Sequence, residues 1–182
     1  MIAAWLARIA ALGLTLAAGW AGWLQLGGNY HAVVPGELYR SAQPDPADLA
    51  RWRHAGGLRS VINLRGPSKA RWYREEVAAA ERLGLAHADF PMKDNERLSP
   101  ERAARLIALI EGMPKPVLIH CKAGADRTGL ASALYLAARG ADERRAEAQL
   151  SFRFGHVALP VSAAWAMDES WEAMEPALGY ES

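Results

Sequence analysis

The chain has 182 residues, 51% of them hydrophobic and 23% charged, which suits one domain with a full core and excludes a disordered chain or a polytopic membrane protein. Lys plus Arg number 21 against 20 Asp plus Glu, without the basic excess of a general nucleic-acid binder. A single cysteine excludes an internal disulfide framework and any multi-cysteine metal site.

Residues 1–30 read as a separate unit. Arg8 is their only charge, and the eighteen residues from Ile9 to Leu26 carry none. From His31 onward the chain holds 20 basic and 20 acidic residues. Three readings compete for the apolar stretch. A buried core helix normally carries a polar stripe, which is missing here. A cleaved signal peptide fits the positive start, although its best small-x-small site, Gly19-Trp20-Ala21, is poor. An uncleaved anchor fits Trp5 near one end and Trp20 and Trp23 near the other. Trp5 to Trp23 covers about 27 Å of helix, the separation of two membrane interfaces. Residues 1–30 are thus expected to be a membrane anchor or signal peptide with its linker, and 31–182 a separate folded domain. Arg8 places the amino terminus in the cytoplasm and sends the remainder outward.

Gly28 to Pro35 reads as a linker, and Glu37 to Arg40 as a short strand. Asp45 caps a helix over Pro46 to His54, which Gly56-Gly57 ends. Leu58 to Leu64 is a strand. Tyr73, Val77 and Ala80 recur at helical spacing within Ala70 to Leu83. Leu85 to Met92 returns as a strand, followed by the polar loop Lys93 to Leu98. Ser99-Pro100-Glu101 opens a helix with Ala103, Leu106, Ile107 and Ile110 on one face. Val117 to His120 is a buried strand, and Thr128 to Arg139 an apolar helix. Further helices are expected from Asp142 to about Phe154 and from Val161 to Leu178. Strands alternating with helices predict an α/β fold with a mostly parallel central sheet.

The chemistry concentrates in Val117 to Gly129. A strand ends at His120, Cys121 follows, and five residues later Arg127 and Thr128 open a helix. In an open α/β sheet, ligands bind beyond the carboxyl ends of the strands. A loop running from strand end to helix start turns amides toward one point, and the helix adds partial positive charge. Gly124, between the small Ala123 and Ala125, lets backbone approach an anion. The same amides and Arg127 would favour the thiolate of Cys121, which is the nucleophilic form. Arg127 offers a planar fork for two phosphate oxygens. Lys122, Ala123, Gly124, Ala125, Asp126 and Arg127 are therefore the expected phosphate-binding segment.

This segment resembles the signature loop of the cysteine-dependent protein tyrosine and dual-specificity phosphatases: His-Cys, five residues, Arg, then Ser or Thr. His120, Cys121, Arg127 and Thr128 meet every position. The stretches LYRSAQP from Leu38, SVINLR from Ser60 and FPMKDNERLSPE from Phe90 are similar to the compact, exported bacterial branch of that family. The resemblance implies a protein-tyrosine-phosphatase-like fold and a location at the bacterial inner membrane with the domain in the periplasm, or in the periplasm as a soluble protein.

It also implies a two-step mechanism. Cys121 attacks phosphorus and forms a cysteinyl-phosphate. An aspartic acid protonates the leaving oxygen and then activates water. Arg127 and the loop amides hold the phosphoryl group, Thr128 assists the departing thiolate, and His120 orders the loop. Three acids precede the signature: Asp89, Asp94 and Glu96. Asp94 is the expected general acid, because it sits in a polar loop after a strand, whereas Asp89 lies within the strand. Arg40, Gln43 and Arg65 match early family positions and read as scaffold under the loop. The resemblance implies no metal or other cofactor, and the scattered histidines suggest no metal site.

The expected substrate is a phosphorylated protein side chain, tyrosine first, with serine and threonine possible. Phosphoinositide phosphatases resemble this loop at Lys122-Ala123-Gly124, but typically carry another lysine where Ala125 stands. A carboxylate at Asp126 also suits a polyanion poorly. An inositol phosphate or phosphoinositide phosphatase is the enzymatic alternative. The non-enzymatic alternative is a module that binds phosphoproteins without turnover.

Overall fold

A computed structural model describes residues 2–180, without the side chains of residues 2–4, 7, 10, 16, 21 and 25. The chain opens with helix α1 (Ile2–Leu26). Among the described residues no helix is long and apolar enough to cross a membrane, so the spanning segment expected between Trp5 and Trp23 is not found there. Helix α1 carries one charge, Arg8. Its last turns rest on the domain: Leu24 is buried, and the Trp20 indole donates to the carbonyl of Phe152 at 3.2 Å.

Strands β1 (His31–Val34) and β2 (Leu38–Ser41) pair antiparallel. Residues 28–35 are therefore not simply a linker. Val33 and Val34 are β-branched, and Gly36 supplies the positive φ (76°) that the turn before β2 needs. Helix α2 (Pro46–Gly56) follows a reciprocal cap between Asp45 and Asp48 and stops at Gly57, φ 66°. Then come β3 (Ser60–Asn63), α3 (Arg71–Leu83), β4 (Ala86–Asp89), α4 (Pro100–Gly112), capped by Ser99, and β5 (Val117–His120). The sheet order is β1-β2-β5-β3-β4, with every pairing after the first hairpin parallel.

The two faces of β5 explain the layers. Val117 and Ile119 join one core with Leu38, Ile62, Leu106, Ile110 and Leu134. Leu118 turns the other way, onto Leu49, Trp52, Val61, Ala79 and Ala80 of α2, β3 and α3. Helix α5 (Asp126–Ala138) buries every residue from Thr128 to Ala137, as its apolar circumference demands.

The carboxy-terminal helices are shorter than expected. Helix α6 covers only Glu143–Glu147, and Phe152–Phe154 forms a separate 3₁₀ turn. The extended backbone of Ser151 (φ −146°, ψ 162°) separates them, and Gln149 in the gap bonds to Arg40 instead of continuing a helix. Helix α7 (Trp165–Met174) begins late and gives way to a 3₁₀ turn at Pro176, which cannot supply an N–H. Trp171 is packed in the core, while Arg144 and Arg145 are exposed.

Candidate active site

The loop from Cys121 to Arg127 leaves the central strand and enters α5. The start of α5 has no side-chain cap on Ala125, so its first amides stay available to a ligand. The loop's carbonyls are engaged on its outer side. Lys122 O accepts from the Gln43 backbone N–H at 3.1 Å. Ala123 O accepts from the Asn29 side chain at 3.0 Å. Gly124 O and Ala125 O accept from one guanidinium nitrogen of Arg40 at 2.8 and 3.2 Å. In a planar trans peptide the N–H points opposite the C=O. Four outward carbonyls therefore turn the amides of residues 123–126 inward.

Cys121 lies at the base of this bowl, almost fully buried. The amide of Gly124 donates to its Sγ at 3.3 Å. Gly124 is needed twice over. Its φ is +71°, and an added Cβ would stand 2.6 Å from Ala42 N and from the carbonyl carbon of Ser41. The Thr128 hydroxyl is buried and has no protein partner.

Arg127 is held at the rim: Nη1 donates to Met92 O at 3.2 Å, and Nη2 lies 3.6 Å from Asp94 Oδ2. Asp94 is about half exposed (53% for its side chain). The other two acids stand elsewhere. Asp89 accepts from Asn63 at 2.7 Å and from the Tyr73 hydroxyl at 2.5 Å, and Glu96 pairs with Lys93 on the surface. Lys122 is exposed, and the side chain of Asp126 faces His156 rather than the bowl. What Asp126 offers a phosphate is its backbone N–H.

Arg40 is completely buried and also donates to Gln149 O and Oε1 at 2.8 and 2.9 Å. Burial pushes its pKa down to about 9, opposed by the nearby Cys121 and Asp126. Phe154 stacks on its guanidinium at 3.9 Å. Arg65 donates to Gln43 at 2.7 Å and lies 3.6 Å over the Trp72 ring. Burial lowers its pKa too, and Arg127 adds to the effect.

Several supporting residues escape sequence reasoning. Alternation along β5 aims His120 at the α3 face, where Glu76 is fully buried. His120 and His87 both reach Glu76 Oε1 through Nε2, at 3.2 and 2.8 Å, and the Gln43 amide donates to Oε2. Burial pushes the Glu76 carboxyl up, but bonds from His120, His87 and Gln43 outweigh it and hold the pKa down to about 2. Asn29 is also buried and sits at φ 46°. Its position after Gly27-Gly28 was the only cue, since Asn tolerates left-handed backbone. His156 and Asp168, both distant in sequence, carried no local signal. Among the described residues no group of three or more His, Cys, Asp or Glu side chains is arranged to hold a metal ion.

A pocket of about 370 Å³ is lined by Arg65, Met92, Lys93, Glu96, Arg97 and Arg102 among others, and the carbonyl of its Met92 accepts from Arg127.

Known proteins bear on this arrangement as follows. The core catalytic domain of the PP-IP phosphatase SIW14 from S. cerevisiae, solved with citrate, superposes with a TM-score of 0.61 at 20% identity, over 77% of this chain and 83% of that one. P. aeruginosa TpbA gives 0.61 at 21% identity, over 84% and 92%. PTPMT1 gives 0.60 at 16%, over 82% and 98%. At such identities these likenesses concern the fold. No curated protein matches the sequence. The family described as PTP-SAK, the Swiss Army Knife protein DSP-PTPase phosphatase domain, matches residues 28–170. That span takes in the sheet, the Cys121 loop and the helices behind it, and so the chain belongs to the PTP-SAK family and is a cysteine-dependent phosphatase of the dual-specificity type.

Proposed function

We propose that the protein removes phosphate from phosphotyrosine in proteins, and more slowly from phosphoserine and phosphothreonine. The observation that carries this reading is the bowl itself. One buried sulfur lies below inward amides, and one guanidinium lies at the rim. Lys122 is exposed, and Ala125 stands where phosphoinositide phosphatases typically carry lysine. That is provision for a single phosphomonoester. TpbA, a protein of the same fold, is known in complex with pTyr.

In this reading Cys121 attacks in line, and the amides of residues 123–126 with Arg127 take the equatorial oxygens. Asp94, 3.6 Å from Arg127, then protonates the leaving oxygen and later activates water. The free hydroxyl of Thr128 is available to the departing thiolate. His120, fastened to Glu76, keeps the strand end in register with the bowl. Hydrolysis of phosphotyrosine peptides, lost in Cys121→Ser by at least about 10³-fold, tests the reading. A chain that binds phosphopeptides equally well with and without Cys121, and releases no phosphate, would be the non-catalytic module instead.

A second reading, an inositol phosphate or phosphoinositide, is favoured by the pocket lined by Arg65, Lys93, Arg97 and Arg102, although Lys93 and Arg97 are paired with Glu96 and Glu169. PTPMT1 is known in complex with PI(5)P. A phosphate-release panel of phosphopeptides against inositol phosphates and phosphoinositides separates the two.

We further infer that residues 1–30 carry the domain to a bacterial membrane or across it. The support is the uncharged run from Ile9 to Leu26 and the exposed Trp5, Leu14 and Trp23 on α1. Fractionation of cells expressing the full chain, followed by carbonate extraction of the membranes, tests this. Recovery only in the cytosolic fraction would refute it.

A further inference from the structure

Asp126 brings a carboxylate into the loop one residue before Arg127. In a bowl meant for a dianion, an ionised carboxylate repels the substrate and competes for the guanidinium. The molecule handles this carboxylate through a partner thirty residues away. Asp126 Oδ1 lies 2.8 Å from His156 Nδ1. The other ring nitrogen, Nε2, lies 3.0 and 3.1 Å from the two carboxylate oxygens of Asp168. An ionised carboxylate only accepts, so each contact calls for a proton on the ring nitrogen, and a ring protonated at both is the imidazolium. Burial alone would discharge it, but the bonds to Asp126 and Asp168 outweigh burial and raise its pKa. These two acids, from α5 and α7, are the ionisable groups facing the ring. His156 is 2% exposed, and its backbone is tied to Ser151 O at 3.1 Å after the turn at Gly155.

We propose that His156 is a positioning residue for phosphate binding: clamped between Asp126 and Asp168, its imidazolium cancels the Asp126 charge and holds that carboxylate out of the bowl. The clamp has a division of labour. Asp168 keeps the ring charged, and the ring neutralises Asp126. The segment from Ser151 to Asp168 thereby takes part in phosphate affinity without touching the phosphate. The effect falls on binding more than on turnover, because substrate and transition state both carry the phosphoryl charge.

This inference rests on the phosphatase chemistry of the Cys121 loop, and its tests separate the two. In the wild-type protein at pH 7, a long-range ¹H–¹⁵N correlation of the His156 ring should report protons on both nitrogens. A neutral ring overturns the proposal whatever the enzyme's substrate. In kinetics with para-nitrophenyl phosphate, and with inorganic phosphate as inhibitor, His156→Gln should raise KM and the phosphate inhibition constant about tenfold, the order expected of one uncancelled nearby charge. Its kcat should stay within about twofold. Adding Asp126→Asn should restore both constants. A loss confined to kcat, or one that Asp126→Asn does not restore, means that His156 merely packs α7 against the loop, and overturns the proposal. Should His156→Gln fail to fold, Asp168→Asn must show the same rise and the same rescue. A wild-type protein that hydrolyses nothing would sink the phosphatase reading and leave the ring's protonation to decide the clamp.

Discussion

Asp94 Oδ2 lies 3.6 Å from Arg127 Nη2, so the acid loop and the phosphate-binding loop meet at the rim of the bowl. The two side chains come from different segments of the chain. Asp94 comes from the polar loop after β4, and Arg127 from the first turn of α5. Met92, two residues before Asp94, accepts from the same guanidinium through its carbonyl at 3.2 Å. A phosphate bound at Arg127 therefore lies within reach of the Asp94 carboxyl.

Asp94→Asn should lower kcat about 10²–10⁴-fold on phosphotyrosine, whose leaving group needs a proton. The loss should be much smaller on para-nitrophenyl phosphate, whose leaving group does not. Equal losses on both substrates would assign Asp94 to holding Arg127 instead. Glu96→Gln should leave both rates near wild type, since Glu96 pairs with Lys93 away from the bowl.

Stability should fall off at both ends of the pH scale. Glu76 has a folded pKa of about 2 against an ordinary 4.5. Its contribution is fully present above pH 4.5 and is lost as pH falls toward 2, on the order of 3 kcal/mol in all. His156 has the opposite sign. Its folded pKa is raised above 6.5, so its contribution is full below 6.5 and is lost as pH rises through the folded value. Urea midpoints from pH 2 to 9 measure this. In Glu76→Gln the acid limb should flatten, and in His156→Gln the alkaline one.

Gly124→Ala should destabilise the protein by at least about 2 kcal/mol and abolish activity. The new Cβ meets the backbone of Ser41 and Ala42, neither of which is a flexible side-chain tip. Gly112→Ala is the control. It lies at the end of α4 with nothing near its Cβ, so it should be neutral or slightly stabilising. Thermal denaturation of both variants reads the difference.

Asn29 ties the chain entering the domain to the loop. Its amide donates to Ala123 O and Phe154 O at 3.0 and 2.9 Å, and its Oδ1 meets His31 at 3.1 Å. Asn29→Ala should cost about 1–3 kcal/mol by leaving buried carbonyls unpaired. Asn29→Asp should cost more, because it sets a carboxylate oxygen against those carbonyls. Urea titration ranks the two. An Asp variant as stable as wild type would refute the tie.

The readings that survived were those that local patterns decide. Val117 to His120 is strand as expected, because four apolar residues between Pro116 and the glycine-containing loop leave little choice. The starts of α2 and α4 followed from Asp45 and Ser99. The helix expected from Asp142 to Phe154 broke in two, because Gln149 and Phe154 answer to Arg40, a demand that no window around them contains. The hairpin strand β1 was hidden for the same reason: its pairing depends on Tyr39 and Arg40. The contact between Asp126 and His156 was hidden in the same way, since the two lie thirty residues apart.

By itself the sequence determined the strand-loop-helix that carries Cys121 and Arg127, since that depends on neighbours within a dozen residues. Only tertiary structure decided which buried groups hold that loop in shape: Asn29, Arg40, Glu76 and His156 arrive from four separate segments. A buried polar atom must find a partner somewhere, and the packing of the whole chain decides which atom is within reach.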